Sequence, residues 1–391
     1  MPSPVPLPRR KSLPSRQLIK AGKIALLLWL TLIVIALVSY WLGMFPILQL
    51  PLRPFGVFLA ISGLICGVSG WLCGRPTKKQ IVGVVCIVFI GLNMVAFTGA
   101  YALTHSPTPG QWGLGRPKPQ SSRQPTDLGL AYTSHRIRVN KAEWIETWLI
   151  PNPQPQGTVL LFPGNHGTKG GQLLPPAQVF HDLGYSCLLV DFRGAGGSSG
   201  YKTSVGFWEA EDVALALQQA QQLNLPQPLI LYGVSMGTAA ILRAMAVSEA
   251  PFSETGRPEV IATHKVQPAA IILELPFSRL TQAIRSRLSL FPLPTSPMAE
   301  LLVFWGGIQQ GFNGFTHDPI TYAKQITAPS LILQGQQDPW TTLAEIEALQ
   351  KQFRGPTQRV VFPTAGHQLL VTVDPDLWRQ EIDQFLRDSR S

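Results

Sequence analysis

A serine set between two glycines is the first residue in this chain with an evident chemical use. Gly233-Val234-Ser235-Met236-Gly237 follows the apolar run Leu229–Tyr232 and precedes Thr238-Ala239-Ala240-Ile241-Leu242. Strand, tight turn and helix in that order lift a serine hydroxyl clear of its own backbone. The glycines leave room for a turn that side chains would block. A hydroxyl placed there can attack a carbonyl carbon once a base takes its proton. The Met236 N–H, at the start of the helix, can then hold the oxyanion. The competing reading is a Gly-rich structural turn, which the flanking strand and helix disfavour.

Such a serine needs elements to hold it. From Ala131 onward, short apolar runs bounded by turn residues recur: Thr158–Phe162, Ser186–Val190, Leu229–Tyr232, Ala269–Leu273, Ser330–Leu333 and Arg359–Phe362. Continuous apolar runs of this length fit strands buried on both faces of a parallel sheet. Arg136–Asn140 and Trp144–Ile150 read as half-buried strands joined by a turn near Lys141. Helical patterns alternate with the strands at Trp208–Leu223, Leu343–Phe353 and Pro375–Leu386, the last with Asp374 as N-cap. Alternation of this kind makes an α/β domain with helices on both faces of a mostly parallel, doubly wound sheet. Function in such sheets sits on loops at the carboxyl ends of strands.

With these motifs, residues 131–391 resemble the α/β-hydrolase superfamily. They are most similar to the lineage of membrane-tethered lysophospholipase-like, BEM46-like and serine-aminopeptidase-like hydrolases. The resemblance implies the α/β-hydrolase fold and the chain order nucleophile, acid, histidine. Pro329–Leu333 leads into Gln334-Gly335-Gln336-Gln337-Asp338, which matches the family's acid loop and implies that Asp338 orients the base. Its alternative role is a cap for the helix near Thr341–Phe353. Val360-Val361-Phe362-Pro363-Thr364-Ala365-Gly366-His367 implies that His367 is the base. His166, in a loop on the catalytic side, is the one serious rival among the other histidines.

Leu160-Leu161-Phe162-Pro163-Gly164-Asn165 leaves the third strand where the family supplies its second oxyanion donor, which puts the Asn165 N–H beside that of Met236. Pro163 stands where the family commonly has histidine. Asp191-Phe192-Arg193-Gly194 matches the family's Asp-x-Arg-Gly loop, and its two charges are expected to pair with each other. Thr168-Lys169-Gly170-Gly171 lacks the Walker spacing of a phosphate loop. Strand–helix alternation breaks over about 277–327, where the family places a substrate cap. Phe277, Leu302, Trp305 and Phe312 there suit either an apolar acyl substrate or ordinary core.

The first 105 residues differ in kind. Residues 24–45, 55–73 and 81–103 carry no charge, and each approaches the ~20 residues that span a hydrocarbon core. Three transmembrane helices are expected over 24–104, after a basic cytoplasmic tail at 1–23. The first span is long and ends in Tyr-Trp-Leu-Gly-Met-Phe, without the small-residue cleavage pattern of a signal peptide. Lysines and arginines in the tail and second loop outnumber the lone Arg53 of the first. The positive-inside rule then sends the C-terminal domain of this multi-pass protein to the non-cytoplasmic side. Residues 105–130, with Pro107, Pro109, Pro117, Pro119 and Pro125, read as an extended linker.

Charge excludes one class of partner. The chain is +10 overall, but residues 1–129 carry +12 and residues 130–391 carry −2. A nucleic-acid binder would place its basic footprint on the folded domain. Cys66, Cys73 and Cys86 fall in apolar spans and Cys187 in a strand, so the C-terminal domain closes no internal disulfide. No metal-ligand spacing appears, and the chemistry expected calls for no cofactor. The expectation is a membrane-anchored serine hydrolase acting on an ester or thioester, with a lipid-like acyl substrate and a bilayer as its surroundings. The alternatives are an acyltransferase or peptidase on the same residues, or a scaffold that keeps the fold without catalysis.

Overall fold

The computed structural model describes residues 76–110, 113–247, 266–290 and 295–389. Its strands are β1 (Thr133–Arg138), β2 (Trp144–Ile150), β3 (Thr158–Phe162), β4 (Ser186–Asp191), β5 (Leu229–Val234), β6 (Ala270–Glu274), β7 (Ser330–Gly335) and β8 (Thr357–Phe362). They form one sheet in the order β1-β2-β4-β3-β5-β6-β7-β8. β1 and β2 pair antiparallel, as do β2 and β4; every other pairing is parallel.

Strands β3 to β7 are buried along their whole length because successive side chains enter cores on opposite faces, whereas the edge strand β8 is only partly buried. Leu160, Phe162, Leu188, Val190 and Leu231 enter one core, while Val159, Leu161, Cys187, Leu189 and Ile230 enter the other. Helices α3 (Glu209–Gln222) and α4 (Met236–Val247) cover the first face, with Val213, Leu217 and Ile241 buried. Helices α2 (Leu174–Asp182) and α10 (Pro375–Asp388) cover the second through Phe180, Trp378 and Ile382. Asp374 caps α10 as its position suggested, accepting the Leu377 N–H at 3.1 Å. Between β6 and β7 the alternation gives way to helices α5 (Leu280–Leu288), α6 (Met298–Gln310) and α7 (Pro319–Tyr322).

The chain divides into two compact units, Met1–Phe97 and Thr98–Ser391. Helix α1 (Pro76–Thr104) begins in the first unit and contributes its last residues to the second. The expected spans 24–45 and 55–73 lie outside the described residues, as does the tail. The third, 81–103, falls within α1, only part of whose side chains are described. Among the described residues, no helix is long and apolar enough to cross a membrane.

The segment expected as an extended linker has little regular structure, yet it is held to the domain. The Ser106 N–H donates to Tyr201 O at 2.8 Å, and the Thr203 N–H to Thr104 O at 2.9 Å. The Gly196 N–H donates to Pro119 O at 2.9 Å, and the Gly170 N–H to Ser121 Oγ at 3.3 Å. Proline removes a donor but keeps its carbonyl, so a proline-rich strip can still accept bonds from a neighbouring loop.

Candidate active site

Ser235 is the single residue between the end of β5 and the start of α4, and its φ is +49°. That left-handed conformation costs a side-chain-bearing residue of the order of 1–2 kcal/mol. The surroundings enforce it. The Ser235 N–H donates to Glu274 O at 2.8 Å, and Ser235 O accepts the Thr238 N–H at 3.0 Å. A Cβ on Gly237 would fall 2.6 Å from Phe162 O, and one on Gly233 would fall 2.7 Å from Ile241 Cδ1. Both glycines are therefore required by space as well as by the turn.

The loops after β7 and β8 bring the other two residues to this turn. Ser235 Oγ lies 3.0 Å from His367 Nε2, and His367 Nδ1 lies 2.7 Å from Asp338 Oδ2. The buried Asp338 carboxylate accepts from Nδ1–H, which leaves the Nε2 lone pair to accept the Ser235 hydroxyl. Asp338 Oδ1 accepts the Trp340 N–H at 2.8 Å and the Thr341 N–H at 3.3 Å, so the carboxylate also fixes its own loop. It is not the cap of the helix that follows. Thr342 caps α8 (Leu343–Gln350), accepting the Glu345 N–H at 3.2 Å. The Trp340 ring packs on the His367 ring with centroids 4.4 Å apart. His166, the rival base, sits in the loop after β3, where burial and the nearby Arg116 lower its pKa. Of these two histidines, His367 is the one bonded to Ser235.

Asn165 and Met236 line the same cleft as Ser235. The loop that carries Asn165 is braced from within, since the Gly164 N–H donates to Gln172 Oε1 at 2.6 Å and the Gly167 N–H to Gly164 O at 2.9 Å. The cleft is open to solvent and mostly apolar. Phe277, Leu280, Leu302, Val303 and Phe312 line it from the cap, while Ala100 and Leu103 line it from the end of α1. Trp305 belongs to the ordinary core, fully buried, so the cap's apolar residues divide between the two roles.

One expected pairing is corrected. Asp191 and Arg193 do not pair with each other. Asp191 binds the buried Lys169, which also reaches Glu146 Oε1 at 2.8 Å and places its ammonium 4.5 Å from the Trp148 ring centroid. Arg193 binds Asp212 at 2.7 Å and Glu211 at 2.8 Å. Asp191 is the last residue of β4 and Arg193 lies two residues beyond it, in the loop, where the chain has left the strand and the two charges take different partners. The Lys169 N–H also donates to Asp191 Oδ1 at 2.7 Å, joining the Asn165 loop to the loop after β4. Nothing in the Thr-Lys-Gly-Gly spacing announced this. Among the described residues, no group of three or more His, Cys, Asp or Glu side chains is arranged to hold a metal.

The model of the Alpha/beta hydrolase family matches residues 159–381. The chain belongs to this family. As a member of the α/β-hydrolase family it is similar to the uncharacterized protein YqkD of Bacillus subtilis (strain 168), with 25% identity over 210 residues, 53% of this chain and 64% of that one. It is also similar to the lysophosphatidylserine lipase ABHD12 of Mus musculus, with 26% identity over 210 residues, 50% of this chain and 44% of that one. The matched stretch thus spans less than two thirds of either relative. Among solved structures, an esterase of Pyrococcus furiosus, Pf2001, shares the fold with a TM-score of 0.56 at 19% identity, covering 70% of this chain and 96% of that one.

Proposed function

We propose that this protein is a membrane-anchored serine hydrolase that cleaves a long-chain acyl ester or thioester through an acyl-enzyme. That it is a carboxylic ester hydrolase-like enzyme accords with its family and with the esterase and lipase among its relatives. One observation carries the finer reading. The hydrogen-bonded series Ser235–His367–Asp338, at 3.0 and 2.7 Å, opens into a cleft with apolar walls.

The chemistry follows from the geometry. His367 Nε2 takes the Ser235 proton as Oγ forms a bond to the carbonyl carbon, and the carbonyl π electrons move onto oxygen. The N–H groups of Met236 and Asn165 are the donors placed to hold that oxyanion. Collapse of the tetrahedral species breaks the bond to the leaving alcohol or thiol, which receives the proton from His367. Water then repeats the sequence on the acyl-enzyme, releasing the acid and restoring Ser235. Asp338 stays ionised and stabilises the imidazolium in both halves.

The apolar walls suit an acyl chain, and the uncharged stretches at 24–45, 55–73 and 81–103 suit a bilayer as its source. The hydrolase domain then lies on the non-cytoplasmic side. A fluorophosphonate probe should label the full chain and leave Ser235→Ala unlabelled; a folded wild-type chain that resists labelling would sink the reading. Protease added outside sealed, oriented vesicles reads the sidedness separately.

A further inference from the structure

The cleft that holds Ser235 is apolar except at a few points, and Arg287 is the one charged residue among those that line it. Arg287 stands near the end of α5, in the cap. Its guanidinium carbon lies 4.4 Å from the centre of the Trp340 ring, which also packs on the His367 ring. One of its N–H groups donates to Ala283 O at 2.8 Å. Among the described residues, no carboxylate lies within ion-pair distance of it, whereas Arg279 and Arg285 each have one and Arg193 has three. Burial lowers its pKa, and the more distant charges of Asp338 and Glu345 oppose that shift.

A guanidinium in an apolar wall is costly to place and is retained where something uses it. It offers several donors in a fixed fork suited to a carboxylate or phosphate, and stacking on an indole holds that fork in place. An anion bound there would sit beside the catalytic histidine and share a cleft with the acyl chain.

We propose that Arg287 is the specificity-determining residue of this cleft and that the substrate is an ester carrying an anionic group, a carboxylate or a phosphate, on the same molecule as its acyl chain. The inference rests on the hydrolase reading for its turnover but not for its binding. The anion contributes mainly to binding, so loss of Arg287 raises KM more than it lowers kcat.

The full chain in detergent micelles tests it in two ways. A monoacylglycerol, its phosphate monoester and its hemisuccinate share one acyl chain and differ in charge. The wild type should favour both charged esters over the neutral one by about tenfold or more in kcat/KM, and Arg287→Gln should cut that ratio by about 10–100-fold, through KM. Arg287→Lys should restore part of it. Separately, dodecyl phosphate and dodecanoate should bind Ser235→Ala more tightly than they bind Ser235→Ala/Arg287→Gln, with a gap that narrows as salt rises. The binding arm needs no turnover, so this inference and the hydrolase reading can fail independently. An equal loss on neutral and charged esters, with no difference in anion binding, would mean that Arg287 acts only through Trp340 on His367, and the proposal would fall.

Discussion

The Glu274 carboxylate accepts the Leu370 N–H at 2.8 Å. Leu370 opens α9 (Leu370–Val373), three residues after His367, and the Glu274 carbonyl accepts the Ser235 N–H at 2.8 Å. One residue at the end of β6 therefore braces both the turn at Ser235 and the loop of His367. Its side chain is fully buried and also accepts from Trp378 Nε1–H at 2.8 Å and Tyr232 OH at 2.9 Å. Burial pushes the Glu274 pKa up, and the three donors pull it back. Glu274→Leu strands all three. The expected cost is about 3–5 kcal/mol in urea unfolding, with slower labelling of Ser235 in the fraction that folds. A loss below 1 kcal/mol would remove Glu274 from this role.

Ser235→Gly should separate strain from chemistry. The serine holds φ +49°, where glycine carries no Cβ penalty. The variant should gain about 1 kcal/mol of stability while losing all fluorophosphonate labelling. Chemical denaturation of the two chains side by side checks the sign.

Lys169 and Asp191 should behave as a unit. Lys169→Met leaves the fully buried Asp191 without its cation and is expected to cost about 3–5 kcal/mol. Lys169→Met combined with Asp191→Asn should cost less than the sum of the two single changes. Additive losses in a double-mutant cycle would show the pair to be uncoupled. Because Lys169 joins the Asn165 loop to the loop after β4, kcat should fall in Lys169→Met as well.

Acid should destabilise the fold through two buried imidazoles. Burial lowers the pKa of His317 to about 3, and burial with the Lys202 charge lowers that of His105 to about 3. His317 donates from Nε2 to Val205 O at 3.0 Å amid the rings of Phe207, Phe312 and Phe277. Folded, both stay neutral; unfolded, both gain a proton near pH 6.5. Stability is therefore full above pH 6.5 and falls as pH drops toward 3. Each histidine takes away at most about 1.4 kcal/mol per pH unit. His317→Gln should flatten the slope of unfolding free energy against pH between 6 and 4.5. A slope unchanged from wild type would count against it.

Much of this architecture can be read from the residues, and the exceptions share a cause. β3 begins and ends where its apolar run does, because a strand buried on both faces is continuous in sequence, and the partly buried β2 keeps the expected bounds Trp144–Ile150. The turn at Ser235 is legible because its steric demands fall on the adjacent glycines. Asp338 and His367 are picked out by the resemblance of their loops to those of the family. Lys169, Glu274 and Arg287 are not, since each owes its place to partners brought near only by folding: Asp191, Leu370 and Trp340 respectively. The docking of residues 105–130 is equally hidden. It uses backbone N–H and carbonyl groups, the Ser121 hydroxyl and the Lys118 ammonium, which leave no apolar period to find.

Ala100, Leu103 and Thr104, from the end of α1, form part of the wall of the cleft that holds Ser235. A truncation that begins at residue 131, where the strand–helix alternation starts, would keep Ser235, Asp338 and His367. It would also strip away one side of the cleft and the strip that covers Tyr201 and Gly196. Trimming this protein for solubility would thus leave Ser235, His367 and Asp338 in register while opening the cleft to water, and an activity measured that way would misreport the longer chain.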